Sequence, residues 1–216
     1  MFQTHPLDLH EIRSRIANSL DLKDLASCTR VSQEWNDSFT PPLYNSVKLS
    51  KRGPSMETME RNKHLIQHLD IQSRANETLS SISDRDEVIS TVITNSVLIT
   101  LKLRENTIGK SGLEALSDAL KTNLTLNSLK LWGDPIGPNG AQALSEALKT
   151  NLTLTTLELY KTSIRDYGAQ ALSEALKTNT ALTTLNLKNN AIGDYGAQAL
   201  SEALKINSTL TDLDLG

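Results

Sequence analysis

The stretch LTTLELYKTSIRDYGAQALSEALKTNTA, residues 154–181, decides the fold. It recurs with changes. Leu98, Leu126, Leu154 and Leu182 open successive copies and Leu210 opens a fifth that is cut short; the steps 126−98, 154−126, 182−154 and 210−182 are each 28. A fixed period of this length marks a solenoid. Two shorter periods alternate inside a copy. LTTLEL is a short apolar, strand-like run, and GAQALSEALK places Ala171, Leu172, Ala175 and Leu176 on one face of a helix. The unit is therefore strand, turn, helix, turn. One such unit cannot bury its apolar face alone, so the copies must stack.

The first, fourth and sixth residues of a copy are leucines, as at Leu126, Leu129 and Leu131. Strand alternation sends them to one side, the interior. Ile108, Ile136, Ile164 and Ile192 follow as the next buried position, and Asn106, Asp134, Thr162 and Asn190 occupy the ninth. A polar side chain there can bond turn backbone that loses its partners as the strand ends. Gly112, Gly140, Gly168 and Gly196 open the helices, which predicts either close strand–helix approach or an unusual dihedral. The pattern LxxLxLxxNxIGxxGAxALSEAL resembles the ribonuclease-inhibitor class of leucine-rich repeats over Leu98–Gly216. That resemblance implies a horseshoe segment, an α/β solenoid with parallel strands on the concave face and helices on the convex face. It implies protein binding and no chemistry.

Between the leucines, the strand residues point to the opposite, concave face. Lys102 and Arg104, Lys130 and Trp132, Glu158 and Tyr160, and Asn186 and Lys188 are the candidate substrate-protein-binding residues. Adjacent strands lie about 4.8 Å apart, so Arg104, Trp132, Tyr160 and Lys188 should form a row. Trp, Tyr and Arg dominate binding hot spots. These positions vary between copies while ALSEALKTN barely does.

The first 40 residues read differently. Leu9, Ile12, Ile16 and Leu20 make an amphipathic helical stripe, with Asp8 and Glu11 placed as a capping box. Leu22, Leu25, Cys28 and Val31 suggest a second helix, and Trp35 and Phe39 a short third that Pro41-Pro42 ends. Residues 9–35 resemble an F-box in Leu9, Glu11, Ile12, Ile16, Leu20, Asp24, Leu25, Val31 and Trp35, and depart from it at His10, Arg13 and Arg30. The resemblance implies that Leu9, Ile12, Ile16, Leu20, Leu25, Val31 and Trp35 contact a Skp-type adaptor. The other reading of the segment is a helical cap on the array.

Three regions result: an F-box-like helical domain over 1–40, a connector with a degenerate capping repeat over 41–97, and leucine-rich repeats over 98–216. In the connector, Val47 and Leu49 suggest a short strand, and Ile66, Leu69 and Ile71 match L-x-x-L-x-L ahead of DEVISTVIT in the helix position. Beyond Leu215-Gly216 an open sheet edge is expected, either continued by further repeats or prone to associate.

Composition excludes several classes. Lys+Arg is 22 against Asp+Glu 25, near balance on either side of Leu98, so the footprint of a nucleic-acid binder is missing. The single cysteine, Cys28, can make neither an internal disulfide nor a cysteine zinc site, which favours an intracellular, cytoplasmic or nuclear, setting. No run is long enough to span a membrane and no secretory signal opens the chain. His64 and His68 stand four apart but lack a third ligand, so no metal is expected. Gly109-Lys110-Ser111 imitates the end of a P-loop, yet Arg104 stands where that motif needs glycine. All four histidines precede the array, so no catalytic set and no cofactor is expected. The reading is a non-catalytic substrate receptor of a cullin–RING ubiquitin ligase, its F-box docking the adaptor and cullin complex. Two alternatives remain: a scaffold without ligase association, and a regulator similar to Ran GTPase-activating proteins, acting through Arg104.

Overall fold

The computed structural model describes residues 46–49, 63–72, 97–106 and 108–216. The F-box-like region 1–40, with Leu9, Ile12, Ile16, Leu20, Leu25, Val31 and Trp35, lies outside the described residues, as does DEVISTVIT. The described chain forms strands β1 (Ser46–Leu49), β2 (His68–Gln72), β3 (Thr100–Arg104), β4 (Ser128–Trp132), β5 (Thr156–Glu158), β6 (Thr184–Asn186) and β7 (Asp212–Asp214). Helices α1 (Lys110–Thr122), α2 (Gly137–Leu148), α3 (Arg165–Leu176) and α4 (Asp194–Leu204) alternate with the strands from β3 onward.

All seven strands join one parallel sheet in chain order. Leu101, Leu129, Leu157, Leu185 and Leu213 face one another in register, and Val47 and Leu69 continue that row. The expected strands at Val47 and Ile66–Ile71 are thus rungs of the same sheet. Their spacing is irregular: Ser46 faces His68 and His68 faces Thr100, whereas later partners differ by the constant repeat. Ahead of β2 the chain makes one 3₁₀ turn, Lys63–Leu65.

The core lies between sheet and helices. Leu98, Leu101, Leu103, Leu126, Leu129, Leu131, Leu154, Leu157 and Leu159 are buried, as are Ile108, Ile136 and Ile164. On the helices, Ala169, Leu172, Ala175 and Leu176 close it from the other side. Each buried aliphatic contributes roughly 1.5–3 kcal/mol, and a stack of copies is needed before the sum outweighs the ordering of the chain. Paired strands lie about 4.8 Å apart, while packed helices need about 8–10 Å. The array therefore curves with the sheet inside.

Gly140, Gly168 and Gly196 act through space rather than dihedral. Gly168 lies in the first turn of α3, and a Cβ built there would come 2.7 Å from Ile164 Cβ and 2.9 Å from Ala141 Cβ. The close approach is to the preceding helix and the entry loop, not to the strand. Positive φ falls elsewhere, on Gly133 (φ 72) and Gly137 (φ 65) and on non-glycine residues at the strand exits such as Lys161 (φ 56) and Asn189 (φ 59).

Polar ladders hold the turns. Ninth-position Asn190 is buried; its Nδ2 donates to the carbonyls of Leu159 (2.5 Å) and Leu187 (2.8 Å), and its Oδ1 accepts from Thr162 N (2.9 Å). Asn106 reaches Ile71 O in the same way, at 2.9 Å. A second ladder, at the helix exits, escaped the sequence reading. Asn151 Nδ2 donates to Leu120 O (2.7 Å) and Asn123 O (3.1 Å), and its Oδ1 accepts from the N–H groups of Thr153 and Leu154. Asn179 and Asn207 repeat these bonds one and two copies on. Asn151 and Asn207 also sit in N-x-S/T sequons, and their amides are spent on backbone carbonyls, which bars them from glycosylation in the folded chain.

Further links join neighbouring helices. Ser117 and Ser145 donate to Ala143 O and Ala171 O of the next helix, whereas Ser173 turns back to Gln170 O in its own. Asp166, in the first turn of α3, accepts from Gly193 N (2.7 Å) and Gly196 N (3.0 Å) and so caps α4 from the preceding copy. On the outer face, short pairs such as Lys149–Glu146 recur, and the Lys149 hydrogen bond holds the Glu146 carboxyl below its usual range.

Two substitutions test this account by urea denaturation. Asn151→Ala strands two carbonyls and two N–H groups in a buried turn and should cost about 3 kcal/mol or more. Gly168→Ala should cost about 1–3 kcal/mol by overpacking, whereas Lys161→Gly, at a left-handed position, should change stability by less than about 0.5 kcal/mol.

Candidate protein-recognition face

The interior leucines dictate the geometry of the opposite face. With Leu101 and Leu103 held inward, Lys102 and the flanking residues of β3 must point out. Register then aligns the rows. Asp70, Lys102, Lys130, Glu158, Asn186 and Asp214 face each other successively across the sheet. Arg104 faces Trp132, with Gln72 beyond it. Tyr160 and Lys188 lie two residues past the shorter strands β5 and β6, in the turns. The backbone still carries the row onward, since Glu105 N bonds Trp132 O, Gly133 N bonds Tyr160 O and Lys161 N bonds Lys188 O. The expected row of Arg104, Trp132, Tyr160 and Lys188 is therefore continuous in backbone order, with Lys188 exposed.

Four of the residues read from the sequence form one network. The Arg104 guanidinium sits over the Trp132 ring, 4.4 Å from its centroid. The indole Nε1 donates to Glu158 Oε2 at 2.9 Å, and Lys130 Nζ pairs with Glu158 Oε1 at 2.5 Å. A cation on an indole face contributes about 0.5–2 kcal/mol. One carboxylate thus fixes both the ring and the neighbouring ammonium. Trp132 is held by Arg104 on its face and an acceptor at its edge, with Lys130 Nζ 5.9 Å from its centroid, and it stays partly exposed. Asn186 is tied elsewhere: its Oδ1 accepts from Lys188 N, and its Nδ2 approaches Asp214 Oδ2 at 3.5 Å.

Asp70 is a participant the sequence reading did not name. Its Oδ2 lies 3.7 Å from Arg104 Nη2. The signal was present, because Asp70 stands between Leu69 and Ile71 as Lys102 stands between Leu101 and Leu103. Among the described residues no group of three His, Cys, Asp or Glu could hold a metal ion. Lys110 of the P-loop-like stretch opens α1 and pairs with Glu114 along the helix at 3.6 Å. No helix among the described residues is long and apolar enough to cross a membrane.

The comparisons with known proteins agree with this architecture. Residues 94–117 and 178–201 match a family model described as Leucine Rich repeat. No curated protein matches the chain. Among solved structures, one described as Leiomodin-1 Actin-Binding Site 2 (ABS2) is similar at 26% identity and TM-score 0.56, over 63% of this chain and 80% of that chain. The tropomodulin C-terminal domain of Caenorhabditis elegans is similar at 13% identity and TM-score 0.54, over 63% and 83%, a likeness of fold alone. The chain carries leucine-rich repeats, folded as a parallel sheet alternating with helices, and its described part is an α/β solenoid.

A double-mutant cycle on Lys130→Met and Glu158→Gln measures the network. The expected coupling is about 1 kcal/mol, against about 0.3 kcal/mol for the exposed Lys149–Glu146 pair on α2. Glu158→Gln should also shift the emission of Trp132.

Proposed function

We propose that the chain is a non-catalytic recognition subunit whose sheet face holds a protein partner. The observation that carries this reading is the braced Trp132, flanked by Arg104, Lys130 and Glu158 at the centre of the inner face. Aromatic and arginine anchors of this kind concentrate binding energy, and their rigidity spares the ordering cost of association. The leucine-rich repeats supply a scaffold suited to protein interaction.

On its sequence resemblance, the N-terminal segment docks a Skp-type adaptor, which places the array in a cullin–RING ubiquitin ligase as its substrate receptor. The support is the pattern from Leu9 to Trp35 ahead of a leucine-rich array. In this reading the chain supplies proximity, and the transfer chemistry belongs to other subunits. The similarity to the leiomodin-1 actin-binding site favours a second reading, an actin-binding array without ligase association. The Ran-type regulatory reading gains nothing from Arg104, which is laid on Trp132 and turned toward Asp70 rather than extended.

Capture from eukaryotic lysate with two variants separates these readings. Wild type should capture adaptor and cullin, Ile12→Asp with Ile16→Asp should lose them, and Trp132→Ala with Tyr160→Ala should lose only the array's partner, by about 2 kcal/mol or more in affinity. Capture without adaptor, together with co-sedimentation on actin filaments, overturns the ligase reading in favour of the second.

A further inference from the structure

Lys102 is a charge in the middle of the sheet face that no carboxylate among the described residues meets in an ion pair. It stands opposite Lys130 in the ladder on one side and opposite Asp70 on the other. Like charges at facing positions cost stability. Lys130 is met by Glu158. Asp70 leans past Lys102 to Arg104, and among the described residues no carboxylate forms an ion pair with Lys102. Arg104 is itself loosely held. Its pair with Asp70 is 3.7 Å long, and Arg104 Nε and Asp70 Oδ1 are both buried without a hydrogen-bond partner. A well-made pair would close both gaps.

Three cations share this patch: Lys130 and Arg104 each have a carboxylate beside them, at 2.5 and 3.7 Å, and Lys102 has none among the described residues. Lys102 and Arg104 alternate along β3, about 6.6 Å apart, and Lys130 lies one strand over, about 4.8 Å from Lys102. Beside them, Trp132 offers an apolar surface. Toward the other end of the sheet, on β7, Asp212 and Asp214 carry the opposite charge. The face is thus divided, with a cationic and aromatic half toward β3 and β4 and an acidic half toward β7.

We infer that the cationic half takes an acidic peptide segment of the partner. This rests on the reading of the sheet face as a protein-binding surface and specifies the partner's chemistry. Carboxylates from alternate residues of an extended segment match the spacing of Lys102 and Arg104, and an apolar side chain between them lies against Trp132. The cations are spread over two strands and do not converge on one point, so the arrangement suits separate carboxylates better than a single phosphate. Asp212 and Asp214 repel acid and keep the segment on the β3–β4 half. Complementary charge of this kind governs encounter rate and partner choice.

A random dodecapeptide display library selected on the immobilised full-length chain tests the inference. Wild type should enrich peptides with alternating Asp or Glu and apolar residues. Lys102→Gln with Arg104→Gln should weaken the enriched peptides at least ten-fold, and binding should fall as salt is raised. Lys177→Gln, on the outer face of α3, should leave binding unchanged. Enrichment of neutral or basic peptides that nonetheless depends on Trp132 overturns the acidic chemistry and leaves the sheet face as the recognition surface. Binding indifferent to Lys102, Arg104 and Trp132, or no enrichment at all, overturns the inference, and the lysate capture with Trp132→Ala and Tyr160→Ala then decides the broader reading separately.

Discussion

Every copy of the repeat must dispose of backbone groups at two turns, and one asparagine does this at the helix exit. Asn151 satisfies two carbonyls of the preceding copy with its amide nitrogen and two N–H groups of its own turn with its oxygen. A buried polar group left without such partners costs about 1–3 kcal/mol. Because the donors reach backward and the acceptor serves the next strand, each asparagine locks the offset between neighbouring copies. The register of the sheet follows, and with it the alignment of side chains on the inner face. Asn190 does the same work at the strand exit, between Leu159 and Leu187.

The fold separates stability from recognition. Strands at β-sheet spacing and helices at helix-packing spacing give a curved array, and small residues keep the helices close. Gly168 against Ala141 shows how little room is left there. The helices therefore tolerate almost no variation. The side chains that vary stand on the inner sheet face, where a change of residue leaves the leucine core untouched. Lys102, Lys130, Glu158 and Asn186 occupy equivalent positions in successive copies, yet they present different charge.

Much of this was legible beforehand for a specific reason. Burial of one face of a strand is binary, so the leucines at the first, fourth and sixth positions assign every neighbour to the inside or the outside. Ile66, Leu69 and Ile71 could be recognised as a rung on the same ground, and they are buried. The helix glycines were harder, because a sequence does not say which neighbour comes close. The approach proved to be from the adjacent helix. Asn151 and Asn207 gave no such signal, because the carbonyls they bond lie one copy away. Asp166 carried no signal in the repeat pattern, because the helix it caps belongs to the next copy.

The sequence alone determined the period, the order of strand and helix, the buried leucine face and the list of residues on the opposite face. It also carries the whole case for the F-box-like segment. These are matters of pattern along the chain, set by the two-residue alternation of a strand and the turn of a helix. Only the tertiary structure decided which of the outward residues act together. Arg104 on Trp132, Glu158 shared between the indole and Lys130, Asp70 drawn toward Arg104 and Lys102 left without an ion pair among the described residues depend on side-chain reach across strands. Charges one copy apart in sequence become neighbours about 4.8 Å apart once the strands pair, and at that distance small choices of rotamer settle which cation meets which carboxylate.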